Sequence, residues 1–183
     1  MFYKTLIKDK IRLPPTELDK PAEEALLKEL KEKYTGYISR EIGIVIDVAG
    51  IKSTGDGHVI PEDGAVYFES EFELLTFKPE NSELVFGKIR DVAEFGAFLS
   101  IGPIDAMVHV SQTMDDFVSF AKNKTLTGRE SKKVLKINDL CIGRIIAVSY
   151  KEIANPKIGV TMRQKGLGKI EWLKEPENNS KKK

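Results

Sequence analysis

Residues 84–112 read LVFGKIRDVAEFGAFLSIGPIDAMVHVSQ, and apolar and polar side chains alternate over three short segments of this stretch. A period of two is typical of β-strands, because successive side chains point to opposite faces. Phe95-Gly96 supplies a bend and Gly102-Pro103 a turn between the segments. The stretch therefore predicts three antiparallel strands whose inward side chains are Ile89, Ala97, Leu99, Ile101, Val108 and Val110.

The outward side chains of this stretch are basic and aromatic: Lys88, Arg90, Phe98 and His109, with Phe95 at the bend. Cations neutralise phosphates, and aromatic faces stack with any base, so this combination suits single-stranded RNA. The OB-fold, a small barrel of short strands, is a known fold that presents such a face. The stretch therefore predicts RNA binding on one face of a barrel.

The first third of the chain predicts a small α+β, RNP-like domain. Residues 2–13 alternate and end at Pro14-Pro15, which indicates a strand and a turn. Leu26 and Leu30 lie on the apolar stripe of a helix that begins near Pro21. Two strands follow, with one face formed by Ile42, Ile44, Ile46 and Val48 in the first and by Val66, Phe68, Phe72 and Leu74 in the second. Glu69, Glu71 and Glu73 are expected on the opposite face of the second strand.

The segment between these two strands is rich in glycine and predicts a projecting loop. Its marker residues are Gly50, Gly55, Gly57, Pro61 and Gly64. A phosphate-binding loop is disfavoured, because the segment lacks a Gly-Lys-Ser/Thr ending and no helix follows it.

Charge divides the chain into two parts. Residues 1–81 carry 11 lysines and arginines against 16 aspartates and glutamates, whereas residues 82–183 carry 18 against 12. This asymmetry predicts two domains with different partners, at residues 1–81 and 82–175. Residues 176–183 are expected to form a disordered basic tail.

Several classes of protein and site are disfavoured by the composition. Cys141 is the only cysteine, so no intrachain disulfide can form, and its apolar neighbours predict a buried thiol. Neither a signal peptide nor an apolar run long enough to cross a membrane is visible, so we expect a cytoplasmic protein with no membrane partner. His109 has no Cys, His or paired acid spaced to share a metal, and we expect no cofactor, metal or catalytic site.

The decisive stretch resembles the S1 family of RNA-binding domains. Its motifs are Gly87-Lys88-Ile89, Phe95-Gly96-Ala97-Phe98 and Val108-His109-Val110-Ser111. In the family, an acidic residue follows the fourth strand and an arginine follows the next loop; here those positions hold Ser149 and Lys157. The resemblance implies modest, nonspecific RNA binding through Lys88, Arg90, Phe95, Phe98, His109 and Lys157. Residues 112–136 form an insertion, in which we expect a helical turn at 114–117 and a small hairpin.

The whole chain resembles the family of larger stalk subunits of archaeal RNA polymerase, called E-prime, the counterpart of the seventh subunit of eukaryotic RNA polymerase II. Met1-Phe2-Tyr3, Gly43-Ile44-Val45-Ile46 and the segment from Gly55 to Gly64 carry this likeness. It implies a non-catalytic subunit of a nucleotidyltransferase that assists transcription initiation and elongation. The first domain would dock on the polymerase core through the glycine-rich loop, the small stalk subunit, named F, would form a heterodimer with the chain, and the S1 domain would meet emerging RNA.

Two other functions stay open at this point. A free-standing S1 protein of translation or RNA decay would bind RNA equally well, but it would not need the acidic first domain. An RNA-processing nuclease would need convergent carboxylates to hold metal ions, and the strand with Glu69, Glu71 and Glu73 has no second set opposite it.

Overall fold

The computed structural model describes residues 1–121 and 123–174 and divides into two units. The first unit comprises Met1–Lys78, and the second begins at Pro79, close to the boundary expected between residues 81 and 82. The predicted tail at residues 176–183 lies outside the described residues. In the described part of the chain, no helix is both long enough and apolar enough to cross a membrane.

The first unit is a four-stranded antiparallel sheet with one helix. In chain order its elements are β1 (Phe2–Leu13), α1 (Ala22–Tyr34), β2 (Ile38–Ser39), β3 (Gly43–Val59) and β4 (Val66–Phe77). The strands lie in the order β1-β4-β3-β2. A single 3-10 turn at Pro15–Glu17 connects β1 to the helix.

The core of the first unit lies between α1 and the sheet. Leu26 and Leu30 are buried on the helix, as the helical spacing predicted. They belong to one cluster with Phe72 and Leu74 of β4 and with residues of β1 and β3. The alternation predicted for β4 is therefore confirmed, because its even-numbered apolar side chains face the core.

The alternation predicted for Ile42 to Val48 is wrong in detail. A β-bulge between Val45 and Asp47 interrupts the pairing of β3 with β4. Because a bulge adds one residue to one strand, it changes which side chains face the core. Val45 and Val48 both belong to the core cluster, whereas Ile46 is only partly buried.

The predicted loop between Gly50 and Gly64 is mostly strand. β3 runs to Val59 and pairs with β4 as far as Val59 opposite Val66, so Gly50, Gly55 and Gly57 lie within a long hairpin. Only Pro61 and Gly64 lie in the turn that joins the two strands. The glycine at position 57 reflects close packing, because a Cβ there would lie 2.8 Å from Cγ1 of Val66 and 2.9 Å from Cε1 of Phe68.

The acidic face of β4 is balanced by lysines from both neighbouring strands. Lys4 and Lys52 each lie near Glu73, at 3.6 and 3.3 Å, and Lys8 lies 3.2 Å from Glu69. These pairs are largely exposed, so each contributes little to stability.

The second unit is built on a five-stranded barrel. Its strands are β5 (Leu84–Ala93), β6 (Gly96–Ser100), β7 (Asp105–His109), β11 (Leu140–Ser149) and β12 (Lys157–Thr161). They pair in the order β12-β7-β6-β5-β11, and β11 also pairs with β12, which closes the barrel. This closure confirms the predicted OB-fold. The barrel core includes Val85, Ile89, Val92, Ala97, Leu99, Val108, Cys141, Ile145, Ile158 and Val160.

The insertion forms a three-stranded meander of β8 (Val118–Ala121), β9 (Thr125–Gly128) and β10 (Val134–Lys136). The hairpin expected there is present, but its third strand was not predicted. The helical turn expected at 114–117 is wrong, because the 3-10 turn lies earlier, at Val110–Gln112. This 3-10 turn follows directly after β7. The side chain of His109 caps the turn by accepting a hydrogen bond from the backbone N–H of Ser111.

A short strand, β13 (Gly168–Lys169), and a helix, α2 (Ile170–Lys174), extend beyond the barrel strands, and the sequence patterns predicted neither. β13 pairs with β11, and Lys169 forms a buried ion pair with Asp139 at 3.1 Å. This pair attaches the segment to the barrel. Lys169 also lies 2.6 Å from Glu171 at the start of α2.

Candidate nucleic-acid interface

The outer surface of β5, β6 and β7 carries three of the predicted RNA-binding side chains, Arg90, Phe98 and His109. Phe98 of β6 pairs directly with Met107 of β7 and with Asp91 of β5, so these three side chains share one face. Directly paired residues of antiparallel strands lie close enough for their side chains to touch. Ala97 and Leu99 point into the core, which orients Phe98 outward as the alternation predicted.

Two adjoining shallow grooves cross this surface. The first is lined by Arg90, Phe98, Asp105, Met107 and Lys157, among others. The second is lined by Met107, His109, Gln112, Ser149 and Lys157, among others. Met107 and Lys157 line both grooves, so the two form one continuous surface, called the groove face below.

The two aromatic residues of the Phe-Gly-x-Phe motif contact each other, and Phe98 lines the first groove whereas Phe95 lines neither. The rings of Phe95 and Phe98 lie 6.0 Å apart in an edge-to-face arrangement. Phe95 is 51% exposed, and Phe98 is partly buried. A partly buried ring with one open face provides a fixed platform on which a base can stack.

His109 is oriented by its own turn. Its Nδ1 accepts a hydrogen bond from the backbone N–H of Ser111 at 3.3 Å and lies 2.8 Å from the Ser111 hydroxyl. Because Nδ1 accepts a hydrogen bond, the neutral ring carries its proton on Nε2. The exposed imidazole therefore presents an N–H donor at the groove face.

The predicted cations lie at different places on this surface. Lys157 pairs with Ser149 across β11 and β12, so the two positions at which the chain departs from the S1 pattern are direct neighbours. Lys88 pairs with Ser100, which lines the first groove, but Lys88 itself lies outside both grooves. Among the described residues, neither Lys88 nor Lys157 forms an ion pair.

Two carboxylates, Asp105 on the groove face and Asp91 beside it, were missed by the sequence-based prediction. Asp105 accepts a hydrogen bond from Nη1 of Arg90 at 2.8 Å. Asp91 accepts one from Nζ of Lys124, also at 2.8 Å, and this contact lowers the pKa of the Asp91 carboxyl. The alternation through Met107 and His109 was a signal that Asp105 points outward. Asp91 had no such signal, because a bulge between Ile89 and Asp91 brings it to the outer surface.

The turn of the β3–β4 hairpin is held by a polar cluster of Arg12, Asp63 and Tyr67. Asp63 accepts hydrogen bonds from Nη2 and Nε of Arg12, at 2.7 and 3.0 Å, and from the Tyr67 hydroxyl at 2.6 Å. The Arg12 hydrogen bond holds the pKa of the Asp63 carboxyl well below its usual range. Val59 and Ile60, just before the turn, are exposed apolar residues. The hairpin therefore presents an ordered, partly apolar tip.

A third surface, on β5 and β11, is apolar and exposed. Leu84, Phe86 and Leu140 are each about half exposed, at 51%, 58% and 45%. Phe86 pairs with Ile142, and Leu140 pairs with Lys88, so these side chains lie on one side of the two strands. Isolated exposed apolar residues are ordinary, but a contiguous group is typical of a protein interface. We call this group the β5–β11 patch.

Cys141 lies in the barrel core and is fully buried, as the sequence predicted. Burial raises the pKa of its thiol to about 12, so the side chain packs as a small apolar group. Within the described residues, no three side chains of the His, Cys, Asp and Glu types are placed to hold a metal ion.

Comparison with known proteins matches both units to protein families. The SHS2 domain found in the N terminus of Rpb7p/Rpc25p/MJ0397 matches residues 8–64, and the S1 RNA binding domain matches residues 78–153. The DNA-directed RNA polymerase subunit Rpo7 of Saccharolobus shibatae is 36% identical over 165 residues, covering 89% of this chain and 92% of the relative. Rpo7 of Sulfolobus acidocaldarius is 34% identical over 174 residues, covering 94% and 95%. DNA-directed RNA polymerase V subunit 7 of Arabidopsis thaliana is 24% identical and covers 84% and 88%.

Proposed function

This chain belongs to the Rpo7 family of DNA-directed RNA polymerase subunits, and from that premise we propose that its barrel binds emerging single-stranded RNA on the groove face. The chain is an accessory subunit of a nucleotidyltransferase and works within an RNA polymerase complex.

The observation that carries the proposal is the convergence of Arg90, Phe98, His109 and Lys157 on one continuous surface. These residues come from β5, β6, β7 and β12, so the closed barrel is what brings them together. An aromatic ring stacks with a base, and neighbouring cations bind the phosphates on either side of it. Neither stacking nor a phosphate contact distinguishes one base from another, so binding is expected to depend weakly on sequence.

Filter binding of a labelled single-stranded RNA tests this surface. Phe98→Ala is expected to weaken binding by about 1–3 kcal/mol at every salt concentration, because stacking is lost. Lys157→Ala is expected to weaken binding mainly at low salt and to flatten the plot of log affinity against log salt by roughly 0.7. Phe86→Ala is the matched control, because it removes a more exposed phenylalanine from the same barrel, outside both grooves. Equal affinity of the wild type and the Phe98→Ala variant would contradict the proposal.

We propose that the small stalk subunit, named F, covers the β5–β11 patch and forms a heterodimer with this chain. The support is the contiguous exposure of Leu84, Phe86 and Leu140 on paired strands, which leaves apolar side chains in water. Burying such a group against a partner is favourable by roughly 25 cal/mol per Å² of apolar surface.

Co-elution of the two purified proteins tests this partner. Phe86→Glu is expected to abolish co-elution, because it would bury a charge at the interface. Phe98→Ala is expected to preserve co-elution while weakening RNA binding, so the two variants separate the two surfaces. Co-elution that survives Phe86→Glu would place the partner elsewhere.

We propose that the hairpin tip docks on the polymerase core. The support is a turn fixed by Arg12 and Asp63, with exposed Val59 and Ile60 beside it. Replacing both apolar residues by serine is expected to abolish binding to a polymerase core that lacks the stalk, while RNA binding stays unchanged. Retained core binding would remove the docking role from the tip.

We propose on these grounds that the chain serves transcription initiation and elongation, where the stalk holds RNA as it leaves the enzyme. The similarity to polymerase subunits over most of the chain disfavours a free-standing S1 protein of translation or decay. The cytoplasmic location expected from the sequence stays a prediction.

A further inference from the structure

The groove face carries negative as well as positive side chains. Arg90 lies 2.8 Å from Asp105, and Lys124 lies 2.8 Å from Asp91. Both carboxylates share the surface with Phe98, since Asp91 pairs directly with that residue and Asp105 lines the same groove. Two of the cations that could meet a phosphate are therefore already occupied by carboxylates of the same chain.

Each carboxylate accepts a hydrogen bond from a cation that could otherwise bind a phosphate. A guanidinium offers parallel N–H donors to a carboxylate or to a phosphate, so the two anions compete for the same donors. The Arg90 side chain is 72% exposed, whereas that of Asp105 is 27% exposed. Arg90 can therefore leave Asp105 and turn outward without any change in the barrel. Asp105 remains nearby and repels the incoming phosphate.

We propose that Asp105 is an internal competitor that limits the affinity of the groove face for RNA, with Asp91 in the same role beside it. This inference rests on the proposed function, because it assumes that RNA lies on this face. Weak binding suits an RNA strand that must move steadily past the surface, because Arg90 can exchange a contact with a phosphate for its ion pair with Asp105. In this proposal the RNA is held mainly by Phe98, His109 and Lys157, and Lys157 forms no ion pair among the described residues.

The size of the effect follows from Coulomb's law. Two unit charges about 6 Å apart in water repel each other enough to weaken binding about three-fold, and about ten-fold if the effective dielectric is half as large. Salt screens this repulsion, so the gain from removing Asp105 should fade as ionic strength rises. Freeing Arg90 for a phosphate should also steepen the salt dependence by up to roughly 0.7.

Fluorescence anisotropy of the full chain with a labelled 12-nucleotide oligouridylate tests the proposal. Asp105→Asn keeps the shape of the side chain and is expected to bind the RNA about three- to ten-fold more tightly at low salt. Arg90→Ala is expected to weaken binding more in the Asp105→Asn background than in the wild type, because the arginine is then available to RNA. Glu32→Gln is the matched control, since it removes the same charge from an exposed ion pair on α1 of the first unit.

The outcomes separate this proposal from the one on which it rests. Unchanged or weaker binding by Asp105→Asn, with a clear loss in Phe98→Ala, would leave RNA on the groove face and overturn the competitor role. Wild-type affinity in Phe98→Ala would remove RNA from this face and overturn both proposals. Asp91→Asn is a second variant, expected to strengthen binding in the same direction, and circular dichroism checks that each variant folds.

Discussion

Gly87→Ala should destabilise the barrel strongly, although it adds one methyl group. A Cβ at this position of β5 would overlap the carbonyl oxygen of Ser100 and would lie 3.0 Å from Cγ of Leu99. A backbone oxygen cannot rotate away as a side chain can, so β5 and β6 would have to separate. In Gly159→Ala, the nearest atom would be Cβ of Ala147 at 3.5 Å, which is an ordinary contact.

The expected cost follows from this overlap. Overpacking a well-packed core typically costs about 1–3 kcal/mol. Because the clash at Gly87 is with backbone, we expect the upper end, about 3 kcal/mol, which is roughly a 150-fold loss in the folding equilibrium constant. With a urea dependence of about 2 kcal/mol per molar, the unfolding midpoint should fall by about 1.5 M. Gly159→Ala should shift the midpoint little or raise it slightly, since alanine restricts the unfolded chain.

Urea unfolding followed by fluorescence measures this difference. Trp172 is the only tryptophan of the chain and lies in the second unit, so its emission reports on that unit. Equal midpoints for Gly87→Ala and Gly159→Ala would refute the packing argument. The glycine of the Gly87-Lys88-Ile89 motif would then have to be explained by something other than the close approach of β5 and β6.

Three further predictions concern single groups. Cys141, whose pKa is raised to about 12 by burial, should not react with Ellman's reagent at pH 8 in the folded chain but should react fully once urea unfolds it. The contact with Arg12 lowers the pKa of the Asp63 carboxyl in the folded chain, so this contact stabilises the fold at pH values above the unfolded pKa near 3.8. The stabilisation is lost as the pH falls from there through the folded pKa. In acid-unfolding curves, Asp63→Asn should therefore lose less stability below about pH 4 than the wild type does. Asp139→Asn should cost about 3 kcal/mol in urea unfolding, because it leaves Lys169 buried without its interior partner, and an unchanged midpoint would contradict this.

The parts of the fold that sequence predicted best are those in which one face of an element is buried. Leu26 and Leu30 share a helical stripe, and Ala97 and Leu99 alternate with the outward Phe98. Burial imposes a period on the sequence, and that period can be detected without a structure.

The errors occurred where the backbone departs from a regular period. The bulge after Val45 changed which side chains face the core, and the bulge at Arg90 brought Asp91 to the groove face. A bulge changes the period by one residue and leaves little trace in composition. Gly57 was interpreted as a loop residue because glycine is common in turns, but Val66 and Phe68 occupy the space its side chain would need.

The side chains of the candidate site were named from the sequence, and their role in RNA binding stays a prediction; the ion pairs around them were not predicted. Phe98, His109 and Lys157 line the two grooves, whereas Lys88 and Phe95 line neither. The contact between Arg90 and Asp105 depends on the register of three strands, because Arg90 lies on β5, Asp105 lies on β7 and β6 runs between them. The alternation of each strand shows which side chains point outward, but the contact between Arg90 and Asp105 appears only once the three strands are aligned.

Photo-crosslinking in a reconstituted elongation complex tests the central claim most directly. A photoreactive benzoyl-phenylalanine replaces Phe98 in one preparation of the chain and Phe86 in another, and the polymerase is stalled with radiolabelled RNA. We predict a crosslink from position 98 to the nascent RNA and a crosslink from position 86 to the small stalk partner. RNA crosslinked at position 86 as strongly as at position 98, or no RNA crosslink at position 98, would contradict the assignment of the groove face.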